Sequence, residues 1–527
     1  MEEFQKSLKN QSNLEIKEIS QDRINYKLSL RKNKFNEILF KKRIIPTKPE
    51  DSPWTHELFL SNLQLPSNYK IIFGKDEEEI STALKAINSD VLFEVQYGIC
   101  LLKNYMTHCP NNNLLNYNLN LNFISDLLNI LEKWGAKKEK QIIFNILYIM
   151  TNYSFMNTNK TISKFFLSSK GYKIWDLCFN LQDYEIMSQL VWILDNIIYD
   201  DEENSYNLLK SNFFQKKIFN FYCCPAIIRH LNEKKEKNYF YIIIERGISL
   251  FSNLLVNQSS STYHKEEKYK LSISLFELIL KYSESNSKNI FYSSIYSISI
   301  AIDTEPRLIN LLDKSNLLND ILNKKFFSED NIILNSNRIL GEYIAHKSNL
   351  SEDFYEKCTN YEMDIFFTTK SILVIIDVFW VLSNIIHDSL SSLERICGNK
   401  LLIDRAINIY KNSNIYKIIR ETSYFFLILI QLVNINTFLE LQNKGLIEIS
   451  FEHLKNIVDE SDKIIILFEL IESYLEKGEI IKNNFGGNNF IKEKCDKYGL
   501  RDLLRKYENS NNKELEEIIG NIINKYY

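Results

Sequence analysis

Glycine and proline are scarce, 13 and 7 in a chain of 527 residues. Turn-rich all-β architectures and strings of domains on flexible linkers both need more of this punctuation, so both are excluded. Eight cysteines are scattered at positions 100, 109, 178, 223, 224, 358, 397 and 495. Only Cys223 and Cys224 are close, and no CxxC or Cys/His cluster stands at ligand spacing, so no metal site is expected. Buried thiols in a reduced cytosolic or nuclear compartment fit this usage. The seven histidines (56, 108, 230, 264, 346, 387, 453) are dispersed, and no HExxH, GxSxG or P-loop pattern occurs. An enzyme is therefore not expected, and neither is a cofactor. Long apolar runs are missing too: Ser371–Ile386 is broken by Asp377, and Tyr424–Val433 by Gln431. Neither supplies the roughly 18 clean apolar residues of a membrane span. Met1–Asn10 is polar, without the apolar core of a signal peptide.

What is present is the composition of a folded protein, 45% hydrophobic and 25% charged. Runs of Leu, Ile, Asn, Lys and Glu favour one long helical array. The net charge of -3 hides an asymmetry. Arg23 to Lys48 holds nine basic residues (Arg23, Lys27, Arg31, Lys32, Lys34, Lys41, Lys42, Arg43, Lys48) and one acid, Glu37, a charge of +8. The remainder, 55 basic against 66 acidic residues, carries -11. Within this arm Ile24, Leu28, Phe35 and Leu39 recur at helical spacing, and Pro46 and Pro49 stop the helix. Such a segment has too little apolar surface to fold alone and is expected to be largely disordered until an acidic partner captures it. No zinc-finger spacing or RNP-type strand accompanies it, so direct binding of nucleic acid is not expected.

From about residue 76 one phrase recurs, an apolar helix carrying Asn or a near equivalent at its fifth position. The clearest copies are Tyr148-Ile-Met-Thr-Asn152, Trp192-Ile-Leu-Asp-Asn196 and Trp380-Val-Leu-Ser-Asn384. Weaker copies begin at Ser249, Tyr296, Arg338 and Tyr424. The fifth residues fall at 152, 196, 253, 300, 342, 384 and 428, spaced 44, 57, 47, 42, 42 and 44 apart. A period near 40–47 is that of armadillo and HEAT solenoids. The long interval contains the polar stretch Asn232–Asn238, read as a loop insertion. Gly171 and Gly445 are expected where one unit turns into the next. The expected fold is all-α, a right-handed armadillo-repeat superhelical solenoid, whose surface works as a docking strip rather than a catalytic pocket.

Trp and Asn four apart share one helix face. An Asn amide offers donor and acceptor to the backbone of an extended peptide, and indoles can wall slots for Lys or Arg stems, at about 0.5–2 kcal/mol per cation contact. Asp200, Asp377 and Glu421 lie beside those positions and complete a groove suited to basic peptides.

Leu30-Arg-Lys-Asn-Lys34 with Leu39-Phe-Lys-Lys-Arg43, then Val191–Asp200, Phe379–Ile385 and Tyr498–Leu504 through Tyr526-Tyr527, together resemble the importin α family, in matching order over nearly the whole length. The resemblance implies an importin-β-binding arm (1–50), a linker (51–75), armadillo repeats (76–495) and a closing repeat (496–527). It implies a major peptide groove of Tyr148, Asn152, Thr161, Trp192, Asn196, Asp200 and Asn253. The minor groove would comprise Asp377, Trp380, Asn384, Glu421 and Tyr424. Arg23, Lys27, Arg31, Lys32, Lys34, Lys41, Lys42 and Arg43 would bind importin β, and Lys41–Arg43 would compete with cargo for the groove. Implied partners are importin β, cargo with basic nuclear localisation signals and an export receptor, for a protein shuttling between cytoplasm and nucleus. The chain departs from the pattern at Tyr148 and Ser249, where the family has Trp, and at Ile300, Glu342 and Ile428. Altered peptide selection is expected at the fourth repeat. The alternative is an armadillo scaffold outside transport, binding another extended partner.

Overall fold

The computed structural model describes residues 77–527 apart from 109–120, 157–162, 164, 200, 231–238, 258–264, 327–328, 458–460, 509 and 511. The described residues form helices and no strand, and they divide into two compact units on either side of Leu311 and Leu312.

In the first unit one long helix per repeat packs against the next: α1 (Leu92–His108), α2 (Lys140–Met156), α3 (Tyr184–Ile198), α4 (Tyr239–Asn257) and α5 (Lys288–Thr304). The second unit repeats the arrangement with α6 (Asp330–His346), α7 (Ile372–Asp388), α8 (Tyr416–Leu432), α9 (Ser461–Phe485) and α10 (Lys513–Tyr526). Each series is a ladder whose rungs are these helices, as in a repeat stack where every unit contacts only its neighbours. The other helices pack against the ladder helices and against one another. In the second unit the repeat is plainly three helices: Leu390–Gly398, Lys400–Asn412 and α8, then Ile435–Asn443, Leu446–Asn456 and α9.

The seven fifth positions read from the sequence fall on α2 to α8, one per helix. Six of those helices end four residues later; α3 ends at Ile198, two after Asn196. The period is therefore the rung spacing. Asn232–Asn238 lies outside the described residues.

With little glycine or proline available, polar caps set the helix boundaries. Asp183 accepts from the N–H groups of Glu185 (3.1 Å) and Ile186 (3.3 Å) to start α3. Asn399, Asn434, Asn489 and Asn512 each cap a helix N-terminus in the same way. Lys138, Gln182, Lys324, Phe326 and Asn349 take positive φ in turns where glycine would be unstrained. Gly445 is a true turn glycine, at φ +84° between Ile435–Asn443 and Leu446–Asn456. Gly171 differs from expectation. It sits in the first turn of Ser169–Phe179, where a Cβ would meet the carbonyl of Phe166, so close approach and not a bend requires it.

The core is built from Ile, Leu, Phe and Tyr side chains. The fully buried Tyr222 donates to the Ile243 carbonyl (2.7 Å) and the fully buried Tyr282 to that of Tyr222 (2.7 Å). On the surface, ion pairs such as Lys173–Glu132 (3.0 Å), Arg307–Glu266 (3.2 Å) and Arg395–Glu356 (2.7 Å) join adjacent repeats. Exposed pairs of this kind contribute ~0–1 kcal/mol each.

A candidate peptide-docking ladder

The predicted groove residues that fall among the described residues all lie on ladder helices. Tyr148 and Asn152 are on α2, Trp192 and Asn196 on α3, and Asn253 on α4. Asp377, Trp380 and Asn384 are on α7, and Glu421 and Tyr424 on α8. Thr161, Asp200 and the whole basic arm lie outside the described residues.

The Asn amides hold the ladder in register. Asn196 donates from Nδ2 to the carbonyl of Thr151 (3.3 Å) and to Ser154 Oγ (3.2 Å) on α2. Asn253 donates to Asp195 Oδ1 on α3 (2.7 Å). Asn384 donates to the Gly341 carbonyl on α6 (3.2 Å). The acceptors, residues 151, 195 and 341, each stand one before the fifth position of the preceding rung. On these three rungs one amide staples the rung to the previous one, while Asn196, Asn253 and Asn384 remain half-buried at the surface. Asn152 instead donates within its own helix, to the Tyr148 carbonyl (3.1 Å). At Ile300 and Ile428 the rung residue is buried apolar packing.

The expected open slots beside the aromatic rings are filled from within the fold. The Arg246 guanidinium lies 3.8 Å from the centre of the Trp192 ring and donates from Nη1 to Ser188 Oγ (3.2 Å). Ser249, where a Trp was expected, donates to Asp195 Oδ2 (2.7 Å). Lys103 from α1 stands 4.8 Å from the Tyr148 ring centre and donates to Asn145 Oδ1 (2.8 Å). In the second unit Trp380 is 6% exposed and lies on Gly341, where an added Cβ would come 2.2 Å from Cζ3. This indole is a packing element between rungs more than an open wall.

Charges on the ladder are mostly paired inside it. Asp377 lies 3.8 Å from Arg338, and Glu421 takes a 2.6 Å contact from Arg420. Burial pushes the Arg246 guanidinium down to about 9, against the pull of Tyr222, Glu245 and Asp195. Burial, helped by the nearby Asp377, pushes the Glu362 carboxyl well above the usual carboxylate range, and its Oε2 accepts from Asn337 (3.4 Å).

Arg246, Asp195, Lys103 and Gly341 are the ladder residues that sequence reasoning missed. A signal for Arg246 existed. It stands three residues before Ser249, the position held by Asp377 before Trp380 and by Glu421 before Tyr424. A cation replaces an acid at that phase. Among the described residues no three His, Cys, Asp or Glu side chains converge as metal ligands would. No described helix is long and apolar enough to cross a membrane.

No protein-family model matches the chain, and no curated protein matches it in sequence. Solved structures do match its fold. An engineered protein, known from a crystal structure, is similar over 85% of this chain and 98% of its own, with a TM-score of 0.59 at 9% identity. A designed armadillo repeat protein, in complex with the peptide (KR)4, is similar over 50% of this chain and 99% of its own, with a TM-score of 0.39 at 13% identity.

Proposed function

We propose that this chain is a helical-repeat scaffold that docks an extended peptide along its ladder helices and performs no catalysis. The observation that carries this reading is the pair Asn196 and Asn253, half-buried at one phase of adjacent rungs in the first unit, with Asn384 repeating that phase within the second unit. Amides on adjacent rungs such as these two offer hydrogen-bonding groups one repeat apart, which the backbone of an extended chain can use whatever its side chains.

The finer reading is a nuclear-import adaptor, shuttling between cytoplasm and nucleus. Cargo presenting a basic localisation signal would occupy the groove, importin β would take the arm through Arg23–Arg43, and an export receptor would recycle the protein. The +8 arm against the -11 remainder supports this. Because Lys41–Arg43 resembles cargo, importin β and cargo would be coupled through one segment. The expected result is that the full chain retains importin β in a pull-down and loses it when Lys41, Lys42 and Arg43 are changed to Glu. Equal retention of both proteins, or of neither, contradicts the adaptor reading.

A second reading, a scaffold outside transport, is favoured by the Arg246–Trp192 contact, which gives this rung its own cation. It predicts no retention of importin β.

A further inference from the structure

Trp192 has a large apolar face at the half-buried surface of α3, the kind of surface on which a cationic stem from a docked peptide would settle. That face already holds a cation. The guanidinium of Arg246, at 3.8 Å from the ring centre, is at stacking distance. The surrounding groups fix it there. Ser188 on α3 accepts its Nη1 hydrogen at 3.2 Å. Glu245 and Asp195, the latter one turn along α3 from Trp192, supply compensating charge, and α4 grips the Asp195 carboxylate with Ser249 (2.7 Å) and Asn253 (2.7 Å). Arg246, Ser249 and Asn253 are three and four apart, hence on one face of α4. The short Ser249 side chain is spent on Asp195, and Arg246 takes the place beside the indole.

We infer that Arg246 is a resident ligand of the Trp192 ring, a specificity determinant that bars Lys and Arg side chains of a docked peptide from this rung. The segment of an extended partner that crosses α3 and α4 then carries a neutral or acidic residue here. A cationic residue would have to displace Arg246 and would face its charge. This rests on the peptide-docking reading proposed above.

The test is the affinity of the full chain for a labelled Lys-Arg octapeptide, read by fluorescence polarisation. Arg246→Ser empties the ring face and leaves Glu245 and Asp195 without this neighbouring cation. Binding should tighten on the order of tenfold, and Arg246→Met, which keeps the stem and removes the charge, should tighten it less. Adding Trp192→Ala to Arg246→Ser should abolish the gain. Arg229→Ser, the same charge change on an exposed residue of Pro225–His230, should move affinity by less than about twofold, as expected of a screened surface charge. If the wild type binds and both Arg246 variants bind no better, or the gain survives loss of Trp192, the inference about Arg246 fails alone. If neither the wild type nor any variant binds, the docking reading fails with it.

Discussion

Asn196, Asn253 and Asn384 were legible in the sequence as a row but not as staples. Spacing tells which helix face a side chain occupies; it does not tell which carbonyl of the neighbouring rung lies within 3.3 Å. Their two capacities are compatible: Asn253 and Asn384 each donate one amide hydrogen inward, and Asn196, which donates both, still has its carbonyl oxygen as an acceptor. The same limit applies to Trp380. Its position was evident from the repeat, yet its burial depends on Gly341 in the preceding rung, 39 residues away. Two predictions follow at this scale, both read by chemical denaturation. Asn384→Ala should cost ~1 kcal/mol, the usual net value of one hydrogen bond. Gly341→Ala should cost more, about 2–3 kcal/mol, because the new methyl meets the rigid indole and one of the two must shift. An Ala at 341 tolerated without loss would mean that Trp380 is free to leave its seat.

At the scale of the element, the helical period was readable because every rung repeats its apolar face. Boundaries were harder. Asn and Ser caps replaced the glycine and proline that ordinarily mark them, and of the two glycines read as turns only Gly445 has positive φ. The burial of ionisable groups within helices was not legible. Glu472 on α9 is pushed up to about 7, first by burial and then by Glu476 and Glu469, with Lys525 of α10 opposing. The fold therefore favours its protonated form over the ordinary value of 4.5. That contribution is fully present below about pH 4.5, shrinks as pH rises and is gone above about 7, where the ionised carboxylate is a burden. Glu472→Gln should stabilise the protein at pH 8 by ~1 kcal/mol, discounted for the partial exposure of this side chain, and make no difference near pH 4. A thermal melt series across that range checks it; a variant that destabilises equally at both ends would contradict the assigned cause.

The molecule as a whole sets a basic segment of +8, residues 23–48, against a remainder of -11. The order of charges along the sequence disclosed that asymmetry, which the net charge of -3 conceals. In the proposed adaptor reading, arm and peptide compete for one surface, and that competition is measurable. Its most direct measurement is the affinity of a Lys-Arg octapeptide for the full chain and for the chain lacking residues 1–50. The account predicts that removing the arm tightens binding, on the order of tenfold for a coupling of ~1.4 kcal/mol. Equal affinities for the two proteins would contradict it.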